Sequence, residues 1–469
     1  MYKIKILQAH YEAMAQSFNA QSNVETCCFF LCNDVETPSG ALLLVSEVFL
    51  LNELDYLEKS SNRLSIDPKT MLSVARYAQS KNFSVCMVHN HPNCLTKVDF
   101  SLADNIGNVE TFRFFNRMLP GKRNSCLVWN SNLLNASGRV YFTENEWCEI
   151  GDIQVHGKLF PLIHNTNEAT KISNVSEEVF DRQVRLLGKD GQEKISRFNY
   201  GIVGVGGIGS VFSQILTHSG GKNITLIDPD FLEESNLPRV VGSTWDDVQN
   251  KVKKVDIAKR YIKTVSPSST VKAIPYSIED KRAKESAIEL DGIVCCTDNA
   301  SSRAYLNQLC QQFYIPVLDL GVEFLAKDNG ELVNEIGKVN FILPNTPCLH
   351  CTGHIHPEDI LSEQSSELDK ASLIQEGYIK GFDLPEPSMM AFNMQIAARG
   401  CQYLLNYVTG LGAFDLASAY EQFSFLGIAN RPHIKVIRKR SERTCIYCGQ
   451  NSSFLGLGSK IPMLLEKTA

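Results

Sequence analysis

Four cysteines stand as two Cys-x-x-Cys pairs, Cys348/Cys351 and Cys445/Cys448. Four thiolates at this spacing describe a closed, tetrahedral, structural zinc site, and the roughly 90-residue gap between the pairs must be bridged by the fold. A redox dithiol is the other reading of either pair. Nearer the N-terminus, His89-Asn90-His91-Pro92 follows an apolar run, and Ser101-Leu102-Ala103-Asp104 opens a helical stretch. Two histidines at i and i+2 on an extended segment point to one side, and Asp104 can add a third ligand. Three protein ligands plus water describe a catalytic zinc, which brings the pKa of its water from about 15.7 to about 7.

A third set is glycine-rich. Gly204-Val205-Gly206-Gly207-Ile208-Gly209 lies between an apolar strand and a helix, so the backbone can approach a phosphate at a helix N-terminus. Asp228 ends the next strand about 20 residues on, where a carboxylate can bind a ribose hydroxyl. Asp230, Asn236 and Arg239 follow just beyond that strand end, Lys254 opens a helix, and Thr297-Asp298-Asn299 ends a later strand. Ligands bind at such carboxyl strand ends. Two cations and two carboxylates there suit ATP with magnesium: Arg239 and Lys254 would neutralise phosphates while Asp230 or Asp298 holds the metal.

The elements that must position these groups differ between the halves. β-like runs at residues 27–32, 41–51, 83–88 and 126–128, with helical stretches at 68–79 and 102–118, indicate a mixed α/β first domain. Strands at 200–203, 223–227 and 292–296 alternate with helices at 209–219 and 253–265, the pattern of a Rossmann-like, doubly wound, mainly parallel sheet. The polar stretch 164–178 reads as a linker, giving domains at 1–163 and 179–469.

Composition limits the classes available. The 469 residues are 43 % apolar and 21 % charged, with a net charge of −6. A pI near 6.0 argues against a nucleic-acid binder. The longest apolar run is too short to span a membrane, and residues 1–5 read as a strand rather than a signal peptide. Fifteen cysteines, many in apolar strand-like runs, suit a reducing cytoplasm.

The order of GxGGxG, Asp-x-Asp, Ser-Asn-Leu-x-Arg, Lys-Val and Thr-Asp-Asn, closed by the two Cys-x-x-Cys pairs, resembles the ThiF/MoeB family, relatives of ubiquitin-activating enzymes. The resemblance covers about residues 180–449. It implies adenylation of the C-terminal carboxylate of a ubiquitin-like protein ending in Gly, with release of pyrophosphate, by a homodimer. Arg182, in the segment Asp181-Arg182-Gln183-Val184-Arg185, would reach the partner's ATP phosphates. Residues 352–400 hold no cysteine for a thioester, and Cys401 reads as helix packing. The activated carboxyl would then pass to the cysteine of a conjugating enzyme or a sulfurtransferase, or stop at the adenylate. His354 and His356 read as surface residues and Cys94 as loop filler.

His-x-His-Pro followed by Ser-x-x-Asp resembles the JAB/MPN metalloproteases over roughly residues 1–160. That resemblance implies a glutamate general base, Glu25 with Glu47 as runner-up, and Ser101 as a donor to the oxyanion. The joint expectation is a peptidase fused to an adenylyltransferase, with two zinc ions per chain. The alternatives are a sulfur-carrier adenylyltransferase in thiamin, molybdopterin or cysteine synthesis, and adenylation of a peptide to make a nucleotide antibiotic.

Overall fold

Strands buried on both faces dominate the first half. The computed structural model describes residues 1–19, 23–157, 162–164, 179–326, 332–366, 369, 388–412, 419–428 and 431–467. It divides into two units. The first comprises Met1–Ser176 with Leu455–Ile461, the second Glu177–Phe454 with Pro462–Ala469.

The first unit runs β1 (Tyr2–Leu7), α1 (Gln8–Asn19), β2 (Cys27–Thr37), β3 (Gly40–Leu50), β4 (Tyr56–Lys59), β5 (Leu64–Ile66), α2 (Pro68–Lys81) and β6 (Ser84–His91). It continues through α3 (Leu102–Met118), β7 (Asn124–Asn130), β8 (Ala136–Tyr141), β9 (Trp147–His156) and β10 (Leu162–His164). The main sheet has the order β1-β3-β2-β6-β7-β8-β9-β10, and β1 also pairs with β9, so the sheet curls back on itself. Along β2, Cys28, Phe30 and Cys32 enter one core with Val88 and Trp129. Cys27, Phe29 and Leu31 enter a second, with Val74 of α2 and Phe112 and Phe115 of α3. Period-2 alternation with both faces buried gives a near-continuous apolar run.

Asn33 interrupts that run in the sequence, yet β2 continues to Thr37. The Asn33 amide is fully buried and donates to Ser46 Oγ (2.9 Å) and to the Gly456 carbonyl (2.7 Å). The segment 455–461 therefore belongs with this unit, whereas the sequence division placed all of 179–469 in one domain. The expected linker, apart from His164, lies outside the described residues.

The second unit opens with α4 (Asp181–Arg197), kinked at Gly188, then β11 (Asn199–Val203), α5 (Gly207–His218), β12 (Asn223–Ile227), α6 (Trp245–Gln249) and α7 (Lys254–Val265). Next come β13 (Thr270–Ile274), α8 (Lys281–Ala287), β14 (Gly292–Cys295), α9 (Ala300–Phe313), β15 (Val317–Ala326) and β16 (Leu332–Ile342). It ends with α10 (Pro357–Gln364), α11 (Met390–Thr409), β17 (Ala419–Ile428) and β18 (Arg431–Arg438). The sheet order is β13-β12-β11-β14-β15-β16-β17-β18. The strands from β13 to β15 are parallel, and β16, β17 and β18 pair antiparallel. This is a mixed α/β, Rossmann-type sheet. Its strand order reverses between β11 and β14, where diverging connections leave a crevice. Among the described residues no helix is long and apolar enough to cross a membrane.

Candidate active sites

The crevice at the switch point holds a cavity of about 530 Å³, within the ordinary range for small-molecule sites. Its floor is the turn from β11 into α5. Gly204 has φ +84°, and a Cβ there would lie 2.8 Å from the Cys296 carbonyl. A Cβ on Gly209 would lie 1.9 Å from the Gly204 oxygen. These two glycines let the turn fold on itself, while Gly206 faces open space at the N-terminus of α5.

Asp228, Asp230, Asn236, Arg239 and Lys254 line one side, and Asp298 the other. Asp228 is buried, and its carboxylate accepts from Val205 N–H (2.6 Å) and Asp230 N–H (2.8 Å). It fastens the glycine turn to the β12 end and keeps lone pairs for a hydroxyl. Burial raises its pKa, opposed by the Lys254 charge. Lys254 Nζ lies 2.8 Å from Asp230 Oδ2. Arg182 is exposed on α4 and does not line this cavity.

Sequence reasoning missed the β14–β15 side. Asp319 is buried and accepts from Arg303 Nε (3.2 Å), and both line the cavity with Glu323 and Lys338. Glu363 of α10 accepts from the N–H groups of Ala300 (2.6 Å) and Ser301 (2.8 Å), at the start of α9. Asp319 was findable as a carboxylate within an apolar strand, whereas no local signal marks Glu363. His354 is not a surface residue. It lines the cavity, packs edge-on against Tyr420, and burial lowers its pKa to about 4.

The two cysteine pairs meet because β16 and β18 both run antiparallel to β17, so both chains leave the sheet at one edge. Cys348 Sγ lies 3.7 Å from Cys445 Sγ, and Cys351 Sγ 3.6 Å from Cys448 Sγ. All four sulfurs fall within 4.8 Å of one another. Tetrahedral zinc with bonds of about 2.3 Å sets sulfurs about 3.8 Å apart, so the thiolates fit zinc. Cys401 is buried in α11, with its pKa raised to about 12 by burial.

In the first unit, His89 and His91 end β6 and Asp104 lies in the first turn of α3. Asp104 Oδ1 is 3.1 Å from His89 Nε2, and Oδ2 is 3.2 Å from His91 Nε2. His89 is buried, so its Nε2 meets the Asp104 carboxylate out of solvent. Ser101 caps α3: its Oγ accepts from Asp104 N–H (3.1 Å), and Asp104 accepts from Ser101 N–H (2.7 Å). Burial alone would raise the Asp104 pKa, but the two histidines outweigh it and hold the carboxyl well below the usual range.

Glu25 lies two residues before β2, where Thr26 N–H donates to Asn90 Oδ1 (2.8 Å) and Cys27 pairs with His89. This register brings Glu25 into electrostatic reach of His89, His91 and Asp104. Burial raises its pKa and the histidines oppose that. Glu47 instead accepts from the Tyr77 hydroxyl (2.9 Å) and faces His10.

Comparison with known proteins places the second unit. Over 196 residues the chain is 29 % identical to the molybdopterin-synthase adenylyltransferase of Haemophilus influenzae, covering 41 % of this chain and 76 % of that protein. It is 26 % identical over 191 residues to the SAMP-activating enzyme E1 of Haloferax volcanii, covering 41 % and 65 %. A crystal structure of Escherichia coli MccB with MccA-N7isoASN aligns with a TM-score of 0.47 and 21 % identity, over 59 % of this chain and 76 % of that one. Residues 180–447 match the ThiF family, more than half of the sequence. The chain belongs to the ThiF family.

Proposed function

We propose that the second unit uses ATP to adenylate the C-terminal carboxylate of a small protein of the sulfur-carrier or ubiquitin-like kind. The observation that carries this is the switch-point cavity, where the glycine turn, Arg239, Lys254 and Asp298 converge. The relatives named for molybdopterin synthase and for SAMP activation support the reaction class. A carboxylate oxygen attacks the α-phosphorus, the bond to the β-phosphate oxygen breaks, and pyrophosphate leaves. The N-terminal amides of α5 hold phosphate oxygens. Arg239 and Lys254 offset the charge that builds on the leaving group. The carboxylates of Asp230 and Asp298 suit a hard cation such as magnesium. Arg182 we assign to the neighbouring cavity of a homodimer.

ATP–pyrophosphate exchange with candidate small proteins tests the reading. Arg239→Ala and Asp298→Ala should each cut exchange by about 10²-fold or more. Undiminished exchange would remove the reaction from this cavity. Mixing Arg182→Ala with Lys254→Ala should restore activity in heterodimers; no recovery would confine the site to one chain.

For the first unit we propose a JAB/MPN-like hydrolase of peptide or isopeptide bonds, because His89, His91 and Asp104 converge and Glu25 lies within their electrostatic reach. Zinc held by these three ligands would supply hydroxide near neutral pH. Glu25 takes the water proton and passes it to the leaving amine. Ser101 accepts at the helix cap with a lone pair, which leaves its own O–H to donate to an oxyanion. Cleavage of a modifier precursor would expose the carboxylate that the second unit activates.

A further inference from the structure

The ThiF-type reaction brings together two anions, a triphosphate and a carboxylate, and the cavity has cationic groups on both sides of the switch point. Arg239 and Lys254 lie on the β12 side, with the glycine turn and Asp228. Across the switch, Arg303 projects from the first turns of α9 toward β15. Its Nε donates to the buried Asp319 carboxylate (3.2 Å), and no other hydrogen bond to it is found among the described residues. Gly321 backs onto this guanidinium: a Cβ there would stand 3.3 Å from Nη2. Arg303 is thus held through Nε at the border of the cavity it helps to line.

A guanidinium anchored in this way presents a planar fork, the geometry that binds a carboxylate through two parallel hydrogen bonds. The triphosphate is already served by the α5 amides, Arg239 and Lys254. The reactant left without a partner is the carboxylate. Building on the adenylation reading, we propose that Arg303, anchored by Asp319, binds the substrate's C-terminal carboxylate and holds one of its oxygens in line with the α-phosphorus. Attack by that oxygen forms the C–O–P bond as the bond to pyrophosphate breaks. The second oxygen becomes the carbonyl of the acyl-adenylate and stays on the guanidinium.

The test uses the full-length protein and three probes: α,β-methylene-ATP, 5′-sulfamoyladenosine, and its glycylglycyl derivative, whose carbonyl stands where the reacted carboxylate would be. In the wild type the glycylglycyl group should tighten binding of sulfamoyladenosine by roughly 10- to 100-fold, the range of a charge-assisted hydrogen bond. Arg303→Met should erase that gain and leave α,β-methylene-ATP bound as before. Arg303→Lys, which keeps the charge without the fork, should retain part of the gain, and Asp319→Asn should reduce it. Should the gain survive in Arg303→Met, the carboxylate binds elsewhere. Loss of α,β-methylene-ATP affinity instead would make Arg303 a phosphate ligand and overturn the assignment. If neither adenosine compound binds the wild type, the adenylation reading itself fails, and this inference with it.

Discussion

At the residue scale the first unit's site turns on two carboxylates with different tasks. Asp104 faces both histidine Nε2 atoms and is gripped by the α3 cap, which suits a fixed ligand. Glu25 stands at a strand entry, within reach of the same histidines and outside that grip. Glu25→Gln should therefore lower cleavage of a modifier precursor by about 10²–10⁴-fold, the usual worth of a general base, while zinc content is kept. Asp104→Asn should lose the zinc. Wild-type cleavage by the Glu25 variant, with loss in Glu47→Gln, would move the base to Glu47. The convergence of His89, His91 and Asp104 was legible because they are close in sequence, at the end of one strand and in the first turn of one helix. Arg303 with Asp319, and His354 with Tyr420, were not legible. Each depends on a neighbour brought in by the fold: β15 against α9 in one case, β17 in the other.

At the element scale, the short helix α6 lies between Arg239 and Lys254, so its anchoring affects where both cations sit. Asp247 makes the anchor: its carboxylate accepts from Thr244 N–H (2.9 Å), Thr244 Oγ1 (2.8 Å) and two Arg260 nitrogens (both 2.7 Å). Hydrogen bonds from Arg260, with smaller help from Thr244, bring its pKa to about 2. An unfolded aspartate titrates near ~3.9. The folded value is the lower one, so the stabilisation is complete above ~4 and is lost as pH falls toward 2. Asp247→Ala should cost about 1 kcal/mol at neutral pH, as for a lost cap, and raise the KM for ATP. Denaturant titrations of both proteins should converge as pH falls from 4 to 2; an unchanged gap at pH 2 would rule out the ionised carboxylate as its source. Element types followed from period and glycine placement, and boundaries moved where polar groups decide them. The second helix was expected over 68–79, and α2 runs on to Lys81, where Asn82 adopts a left-handed conformation that ends it.

At the scale of the whole molecule, the first unit is completed by residues distant from it in sequence, and nothing in composition or periodicity announces this. Gly456 has φ +66° and Gly458 φ +53°. The Gly456 carbonyl accepts from the Asn33 amide. A Cβ on Gly458 would stand 2.3 Å from Val35 Cγ2, so the side chain of β2 leaves room only for glycine. Gly458→Ala should then combine backbone strain of roughly 1–2 kcal/mol with an overpacking cost of about 1–3 kcal/mol. Tryptophan fluorescence can localise the damage. Trp129 is fully buried in the first unit, whereas Trp147 and Trp245 are already exposed in the fold, so the spectral shift on unfolding comes mainly from Trp129. We expect the variant's Trp129 transition to move to lower temperature and precursor cleavage to fail with it. ATP–pyrophosphate exchange should persist in that range, because the switch-point cavity is built wholly from residues of the second unit. An unmoved Trp129 transition would mean that the 455–461 segment contributes no stability to the first unit. Loss of exchange at the same temperature as cleavage would show instead that the two units unfold together, and the two activities would then share one stability threshold rather than two.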